Sequence, residues 1–84
     1  MSKHEKLLRK LKSYPKDFTW NELVTLLSGF GFEEFNKGKT SGSRRRFVNE
    51  NQKIISLHKP HPGNELKTYM IKIVLNILKE EGLI

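Results

Sequence analysis

The chain has 84 residues, which is enough for one small domain with a single hydrophobic core. Its 16 Lys and Arg residues outweigh nine Asp and Glu and give a net charge of +7, which favours an anionic partner, nucleic acid above all. The sequence contains no cysteine, so disulfides, thiolate catalysis and cysteine-based metal sites are excluded.

The sequence carries no signal for export or for insertion into a membrane. Its N-terminal residues are charged, and no apolar block follows them that could act as a signal peptide. No apolar run approaches the roughly 20 residues that a membrane-spanning helix needs. We therefore expect a soluble protein of the cytoplasm that does not bind membranes.

The first predicted helix covers residues 3–13. Its leucines recur at helical spacing, and Lys and Arg fill the other faces. These leucines are Leu7, Leu8 and Leu11. We expect the helix to end at Tyr14, because Pro15 follows and a residue before proline is disfavoured in the α region.

A second amphipathic helix is predicted to begin at Thr19. Thr19 and Glu22 have the spacing of a capping box, in which the hydroxyl caps the helix and the carboxylate reaches back to its start. The apolar positions that follow at helical spacing are Leu23, Leu26, Leu27 and Phe30. Gly29 and Gly31 then offer left-handed stops.

Three short strands are predicted next, over residues 32–36, 43–48 and 53–59. Turn-forming residues fill the two connections, residues 37–41 and 49–52. Because both connections are short, the strands should pair as an antiparallel meander. Residues 60–64 contain two prolines and a glycine, and they should end the sheet.

The last predicted helix starts between Asn64 and Tyr69 and ends near Glu81, with Gly82 as its terminator. It is apolar over a broad arc, so it needs cover on more than one side. Its apolar rows are Leu66, Met70, Ile73 and Ile77, and Ile71, Val74, Leu75 and Leu78; its polar stripe is Thr68, Lys72, Asn76 and Lys79. We expect the sheet to cover one side and the N-terminal helix the other. A partner protein or a second copy of the chain, forming a homodimer, is the alternative cover.

These elements predict an α+β fold of two layers in the order α-α-β-β-β-α. The helices should pack on one face of a three-stranded antiparallel sheet and leave the opposite face free to meet a ligand. We expect one domain over residues 1–84, in which residues 1–17 form an N-terminal helical extension and residues 18–84 form the rest.

The second predicted strand carries three consecutive arginines, Arg44, Arg45 and Arg46. Guanidinium groups suit phosphate oxygens, because they stay charged and offer five donors in a flat fork. Side chains alternate between the two faces of a strand. If Phe47 points to the core, then Arg44 and Arg46 point outward, while Arg45 and Ser43 lean toward the core.

The third strand should add to the same outer surface. Alternation sends Ile55 and Leu57 to the core and leaves Ile54, Ser56 and His58 outside. We expect a basic surface that binds RNA phosphates, formed by Lys37, Lys39, Ser43, Arg44, Arg45, Arg46 and Lys59. Phe35 could stack on a base, but a place in the core is the favoured interpretation.

Two histidines are candidates for acid–base chemistry. His58 lies on the outer face and His61 lies in the turn after it, and imidazole titrates near neutrality. The alternative for each is an ordinary surface hydrogen bond. His4 lies in the N-terminal helix, and we assign it no role. No metal-ligand spacing or phosphate-binding glycine loop is present, so neither a metal nor a cofactor is predicted.

A series of short motifs indicates a family. The series is Leu26-Leu27, Gly31-Phe32, Gly42-Ser43 at the start of an aromatic-ended strand, Leu57, Pro60-His61, Glu65-Leu66-Lys67 and the final Leu78-Lys79-Glu80-Glu81-Gly82-Leu83. In this order and spacing, residues 19–84 resemble the HicA-type toxins, small mRNA interferases of bacterial toxin–antitoxin pairs. The resemblance implies a double-stranded-RNA-binding-like fold, cleavage of translated mRNA without a cofactor, and a HicB-type antitoxin as partner. The N-terminal helix is not part of the usual family pattern.

The chain differs from this family at Arg44. In the family a histidine taken to be catalytic follows Gly-Ser, where this chain has Arg44. Arginine can bind the scissile phosphate and stabilise developing negative charge, but it stays protonated and cannot transfer protons. His58 is therefore our first candidate for proton transfer. His61, which matches a family histidine near the end of the sheet, is the second.

These observations favour a toxin that binds and cleaves mRNA, without a metal, to inhibit translation. Two alternatives stay open on the same fold. One is a non-catalytic RNA-binding module, and the other is a module whose basic face serves to dock an acidic antitoxin.

Overall fold

The structure is a computed structural model, and it describes residues 2–35, 44–60 and 63–84. Its elements are α1 (Lys3–Lys12), α2 (Trp20–Gly29), β1 (Glu33–Phe35), β2 (Arg44–Val48), β3 (Ile54–His58) and α3 (Thr68–Glu80). The strands form one antiparallel sheet in the order β1-β2-β3. The predicted α+β arrangement and its order of elements are confirmed.

Side-chain caps explain where the first two helices begin. The Ser2 hydroxyl accepts a hydrogen bond from the Glu5 backbone N–H at the start of α1 (3.2 Å). At the start of α2, the Thr19 hydroxyl accepts from the Glu22 N–H (3.2 Å), and the Glu22 carboxylate accepts from the Thr19 N–H (2.9 Å). The predicted capping box is present, and it satisfies two backbone donors that the helix itself cannot.

The Glu22 carboxylate also links α2 to α1, through the Lys10 ammonium group at 3.1 Å. Partial burial alone would raise the pKa of Glu22. The hydrogen bond from the Thr19 backbone N–H and the contact with Lys10 outweigh that effect, so the pKa of Glu22 is lowered. The same hydrogen bond to Glu22 raises the pKa of Lys10.

The helix ends agree with the sequence at three places and differ at one. Tyr14 (φ 53°), Gly31 (φ 90°) and Gly82 (φ 72°) have left-handed backbones just beyond the ends of α1, α2 and α3. The prediction of a left-handed stop at Gly29 is wrong, because α2 continues through this residue. Gly29 is needed for space instead: a Cβ there would clash with the imidazole of His4.

The core lies between the sheet and the three helices. The buried apolar side chains are Leu7, Leu11, Phe18, Trp20, Leu23, Leu26, Leu27, Phe32, Phe47, Ile55, Leu57, Leu66, Met70, Ile71, Val74, Leu75 and Leu78. Helix α1 contributes two of these leucines and contacts both α2 and α3, as expected for the N-terminal helix. Its cover is incomplete, because Ile73 on α3 stays 42% exposed.

Two backbone hydrogen bonds tie the segment before α3 to the segment before α2. The Trp20 N–H donates to the Asn64 carbonyl (2.6 Å), and the Leu66 N–H donates to the Phe18 carbonyl (2.7 Å). Between them, Thr19 and Glu65 form an antiparallel β-bridge. These contacts fix the start of α3 at Thr68, within the predicted range.

Candidate nucleic-acid interface

The outer face of the sheet is formed by alternate residues of its three strands. Phe47 and Ile55 are fully buried on the core side, and each lies directly opposite the other. Alternation therefore places Arg44 and Arg46 on the outer face, and both are exposed. Ile54, Ser56 and His58 are exposed on the same face, as the sequence predicts. We call this surface, with Phe35 of β1, the outer sheet face.

The register of the sheet brings the basic and titratable groups together. Arg44 of β2 lies directly across from His58 of β3. Arg46 lies between Phe35 of β1 and Ser56 of β3. Cross-strand neighbours on one face have Cβ atoms about 4.5–5.5 Å apart, which is within reach of one ligand group. A phosphate held by Arg44 would therefore lie beside the His58 imidazole.

Arg44 and Arg46 are available to a ligand. Among the residues that the structure describes, neither guanidinium group takes part in an ion pair. Two exposed cations on one face and on the same strand repel each other, and an anion bound between them would remove that repulsion. The outer sheet face thus has the electrostatic character of a phosphate site.

Arg45 lies on the opposite side of the sheet from Arg44 and Arg46. Its Nε atom is 3.4 Å from the Glu34 carboxylate, and another of its guanidinium nitrogens donates to the Arg44 carbonyl oxygen (3.1 Å). The structure therefore does not bring Arg45 together with the other two arginines. Its position, on the core side of β2, is the one that alternation predicts.

Phe35 does not occupy the core, and the expectation that it would is wrong. Its side chain is 48% exposed, and it lies next to Arg46 on the outer sheet face. The reason is again alternation: Glu34 is opposite the buried Phe47, so the next residue of β1 must point outward. An exposed aromatic ring beside a cation is a surface on which a nucleobase can stack.

His58 also borders a cavity of about 370 Å³ between the end of β3 and the start of α3. Two side chains around it that the sequence did not predict as site residues are Lys67 and Tyr69. Both precede or begin α3, and the bridge between Thr19 and Glu65 holds this segment in place. No local pattern in the sequence points to these two residues, because their position depends on that long-range pairing.

Several predicted site residues lie outside the described residues. These are Lys37, Lys39, Ser43 and His61. Lys59, which follows β3, is described; it is exposed and borders the same cavity as His58. Of the predicted candidates, the structure therefore places Arg44, Arg46 and His58 on the outer sheet face, and Lys59 at the cavity that His58 borders.

Two other features are absent from the described residues. Over residues 2–35, 44–60 and 63–84 there is no group of three or more His, Asp or Glu side chains that could hold a metal ion. Within the same ranges, no helix has the length and apolar character needed to cross a bilayer.

Comparison with known protein families identifies most of the chain. The family model described as the HicA toxin of bacterial toxin–antitoxin matches residues 20–83. The matched region begins with α2 and includes all three strands and α3, whereas α1 precedes it. No curated protein and no solved structure shows significant similarity to the chain.

Proposed function

Since the chain belongs to the HicA toxin family, we propose that it binds mRNA on the outer sheet face and cleaves it. In a toxin–antitoxin pair such cleavage would inhibit translation until the antitoxin partner covers the toxin. The observation that supports this proposal is the register of β2 and β3, in which Arg44 and His58 are cross-strand partners with exposed side chains.

Arg44 and Arg46 would hold the RNA backbone. Their guanidinium groups are exposed and, in the described part of the chain, free of ion pairs, so they can donate charge-assisted hydrogen bonds to phosphate oxygens. Phe35 beside Arg46 would stack on a base next to that phosphate. Lys59 would extend the basic surface past the end of β3.

His58 would supply the proton transfer that arginine cannot. In the proposed step the imidazole of His58 accepts the proton of the ribose 2′-hydroxyl, and the 2′-oxygen forms a bond to phosphorus. The bond from phosphorus to the 5′-oxygen breaks, and a second group returns a proton to that oxygen. The products are a 2′,3′-cyclic phosphate and a 5′-hydroxyl. His61 is our candidate for the proton donor, from its place in the sequence.

Arg44 has a second role in this scheme. Negative charge increases on the phosphate oxygens as the 2′-oxygen attacks, and a fixed cation stabilises that charge more than it stabilises the ground state. Loss of Arg44 should therefore lower the cleavage rate as well as RNA affinity.

The test is cleavage of end-labelled RNA by purified protein in the presence of a chelator. We expect His58→Asn to abolish cleavage while RNA affinity changes little, because the proposed role of the imidazole is proton transfer and not RNA binding. Arg44→Ala should reduce both. Lys16→Ala is the matched control for loss of a positive charge, since Lys16 is exposed and lies on a loop remote in sequence from the sheet. Full cleavage by His58→Asn would refute the proposed role of His58.

A non-catalytic RNA-binding toxin is the second candidate. It is favoured by Arg44 itself, since a residue that cannot titrate stands where the family resemblance places a catalytic histidine. In that case wild-type protein would bind RNA with a steep dependence on salt, and no product would appear in the chelator assay or with added divalent cations.

A further inference from the structure

A groove lies between the end of α1 and the outer side of α3. Its volume is about 700 Å³, and its floor and walls include Tyr14, Ile73 and Ile84. Tyr14 is 46% exposed and Ile73 is 42% exposed, so apolar surface here is left uncovered by the core. Helix α1 forms one side of this groove and lies outside the region that matches the toxin family.

Three lysines line the same groove: Lys12, Lys72 and Lys79. No Asp or Glu side chain is found among the described residues that line the groove, and within those parts of the chain none of the three lysines forms an ion pair. The helix macrodipole accounts for Lys12 and Lys79, which lie in last turns, but not for Lys72 near the start of α3. The groove therefore combines exposed apolar side chains with three lysines that have no ion-pair partner among the described residues.

The backbone of Tyr14 gives a second observation. With φ 53° it occupies the left-handed region, where an L-residue with a large side chain is strained and glycine is favoured. Neither burial nor a hydrogen bond of its hydroxyl in the described structure explains the choice of tyrosine, since the ring is half exposed at the groove. The fold needs a left-handed residue here to end α1, but it does not need a tyrosine in that position, and strained residues of this kind cluster at ligand-binding sites.

We propose that this groove binds an acidic segment of a partner protein, one that presents one or two large apolar side chains to Tyr14 and Ile73. The three lysines attract carboxylates, and the exposed apolar side chains give the segment its anchor. A second copy of this chain fits poorly, because each copy carries a net charge of +7 and would bring lysines against lysines.

RNA is disfavoured as the occupant by position. Helix α3 packs on the core side of the sheet, and its groove residues Ile73 and Asn76 lie on its exposed side, away from its buried residues. Arg44 and Arg46 point away from the core on the other side of the sheet. A strand of RNA held by the arginines would have to pass round the edge of the sheet to reach the groove.

The test uses the full chain and a fluorescent peptide of about 12 residues, roughly three helical turns, with Leu at helical spacing and Glu elsewhere. A scrambled peptide of the same composition and a Lys-for-Glu version are the controls. We expect the acidic peptide with Leu at helical spacing to bind and the two control peptides not to bind. Binding should change the NMR chemical shifts of Tyr14, Ile73 and Asn76 of the protein. Lys72→Glu should weaken binding by about tenfold, whereas Lys16→Glu, an identical change of charge outside the groove, should not.

Tyr14→Gly separates binding from folding. Because glycine relieves the strained backbone, this variant should melt at the same temperature as the wild type or higher, while its affinity for the peptide falls by about tenfold. The proposal is overturned if the peptide does not bind or if Tyr14→Gly binds it as well as wild type. It is also overturned if a single-stranded RNA probe, rather than the peptide, shifts the groove resonances, or if Ile73→Glu abolishes a dimer of the chain itself.

Discussion

The packing of His4 on Gly29 allows a sharp test of the structure, through the substitution Gly29→Ala. The His4 ring meets Phe30 edge-on, with 4.5 Å between ring centroids, and its Nδ1 atom is buried without a hydrogen-bond partner within the described residues. A methyl group at position 29 would overlap that ring. The substitution therefore has two opposing effects on stability: the higher helix propensity of alanine and the clash with the His4 ring. The residue at position 4 determines which effect is larger.

The two effects can be given magnitudes. Alanine is favoured over glycine within a helix by about 0.5–1 kcal/mol. Overfilling a packed contact costs about 1–3 kcal/mol. In the wild-type background Gly29→Ala should thus destabilise the protein by about 1 kcal/mol. In a His4→Ala background, where the ring is gone, the same substitution should stabilise it by about 0.5 kcal/mol.

The assay is urea unfolding of the four proteins of this cycle at one pH. Gly31→Ala is the control, because that position is open but has φ 90°. It should be destabilising to the same extent with or without His4, since its penalty comes from its own backbone. If the effect of Gly29→Ala is the same in both backgrounds to within about 0.5 kcal/mol, His4 does not pack on Gly29 and the placement of α1 is wrong.

Three further predictions concern the capping box and the outer sheet face. Because folding lowers the pKa of Glu22, its carboxylate stabilises the protein above the ordinary pKa of 4.5, and this contribution is lost as pH falls through the lowered value. Glu22→Gln should therefore reduce the loss of unfolding free energy at acid pH. An unchanged dependence on pH would refute the assignment. Arg44→Ala should reduce the slope of log RNA affinity against log salt by about one, while Lys16→Ala leaves it unchanged; equal slopes would place the phosphate elsewhere. Phe35→Ala should weaken RNA binding and scarcely alter the urea midpoint, whereas Phe47→Ala should cost about 3–5 kcal/mol of stability; a large loss from Phe35→Ala would mean that its ring is packed.

The features that the sequence predicts correctly are those set by near neighbours. Thr19 and Glu22 lie within one helical turn, so the capping box depends on no distant contact. The alternation of Phe47 with Arg46 likewise follows from the pleat of a strand, and it placed the arginines on the correct faces. The same rule puts Phe35 on the outer face once Glu34 is paired with Phe47, but that register is not evident from the sequence alone.

The features that the sequence does not predict depend on contacts between distant parts of the chain. Gly29 has the appearance of a helix stop, and only the approach of His4 from α1 shows why a side chain is excluded there. Tyr69 and Lys67 line the same cavity as His58 because Thr19 pairs with Glu65, and α2 and all three strands lie between these two residues in the sequence. Neither relation has a local pattern that could reveal it.

The burial of Phe47 has a consequence for how the protein selects its ligand. Three consecutive arginines do not by themselves favour one strand register over the next. A shift of β2 by one residue would still leave arginines along the first half of the strand. Such a slide would expose the fully buried ring of Phe47 and turn Arg44 and Arg46 toward the core, at a cost of several kcal/mol. The buried ring of Phe47 thus fixes the register of β2 and, with it, the positions of Arg44 and Arg46. Substitution of this ring would rearrange the outer sheet face although no residue of that face is changed.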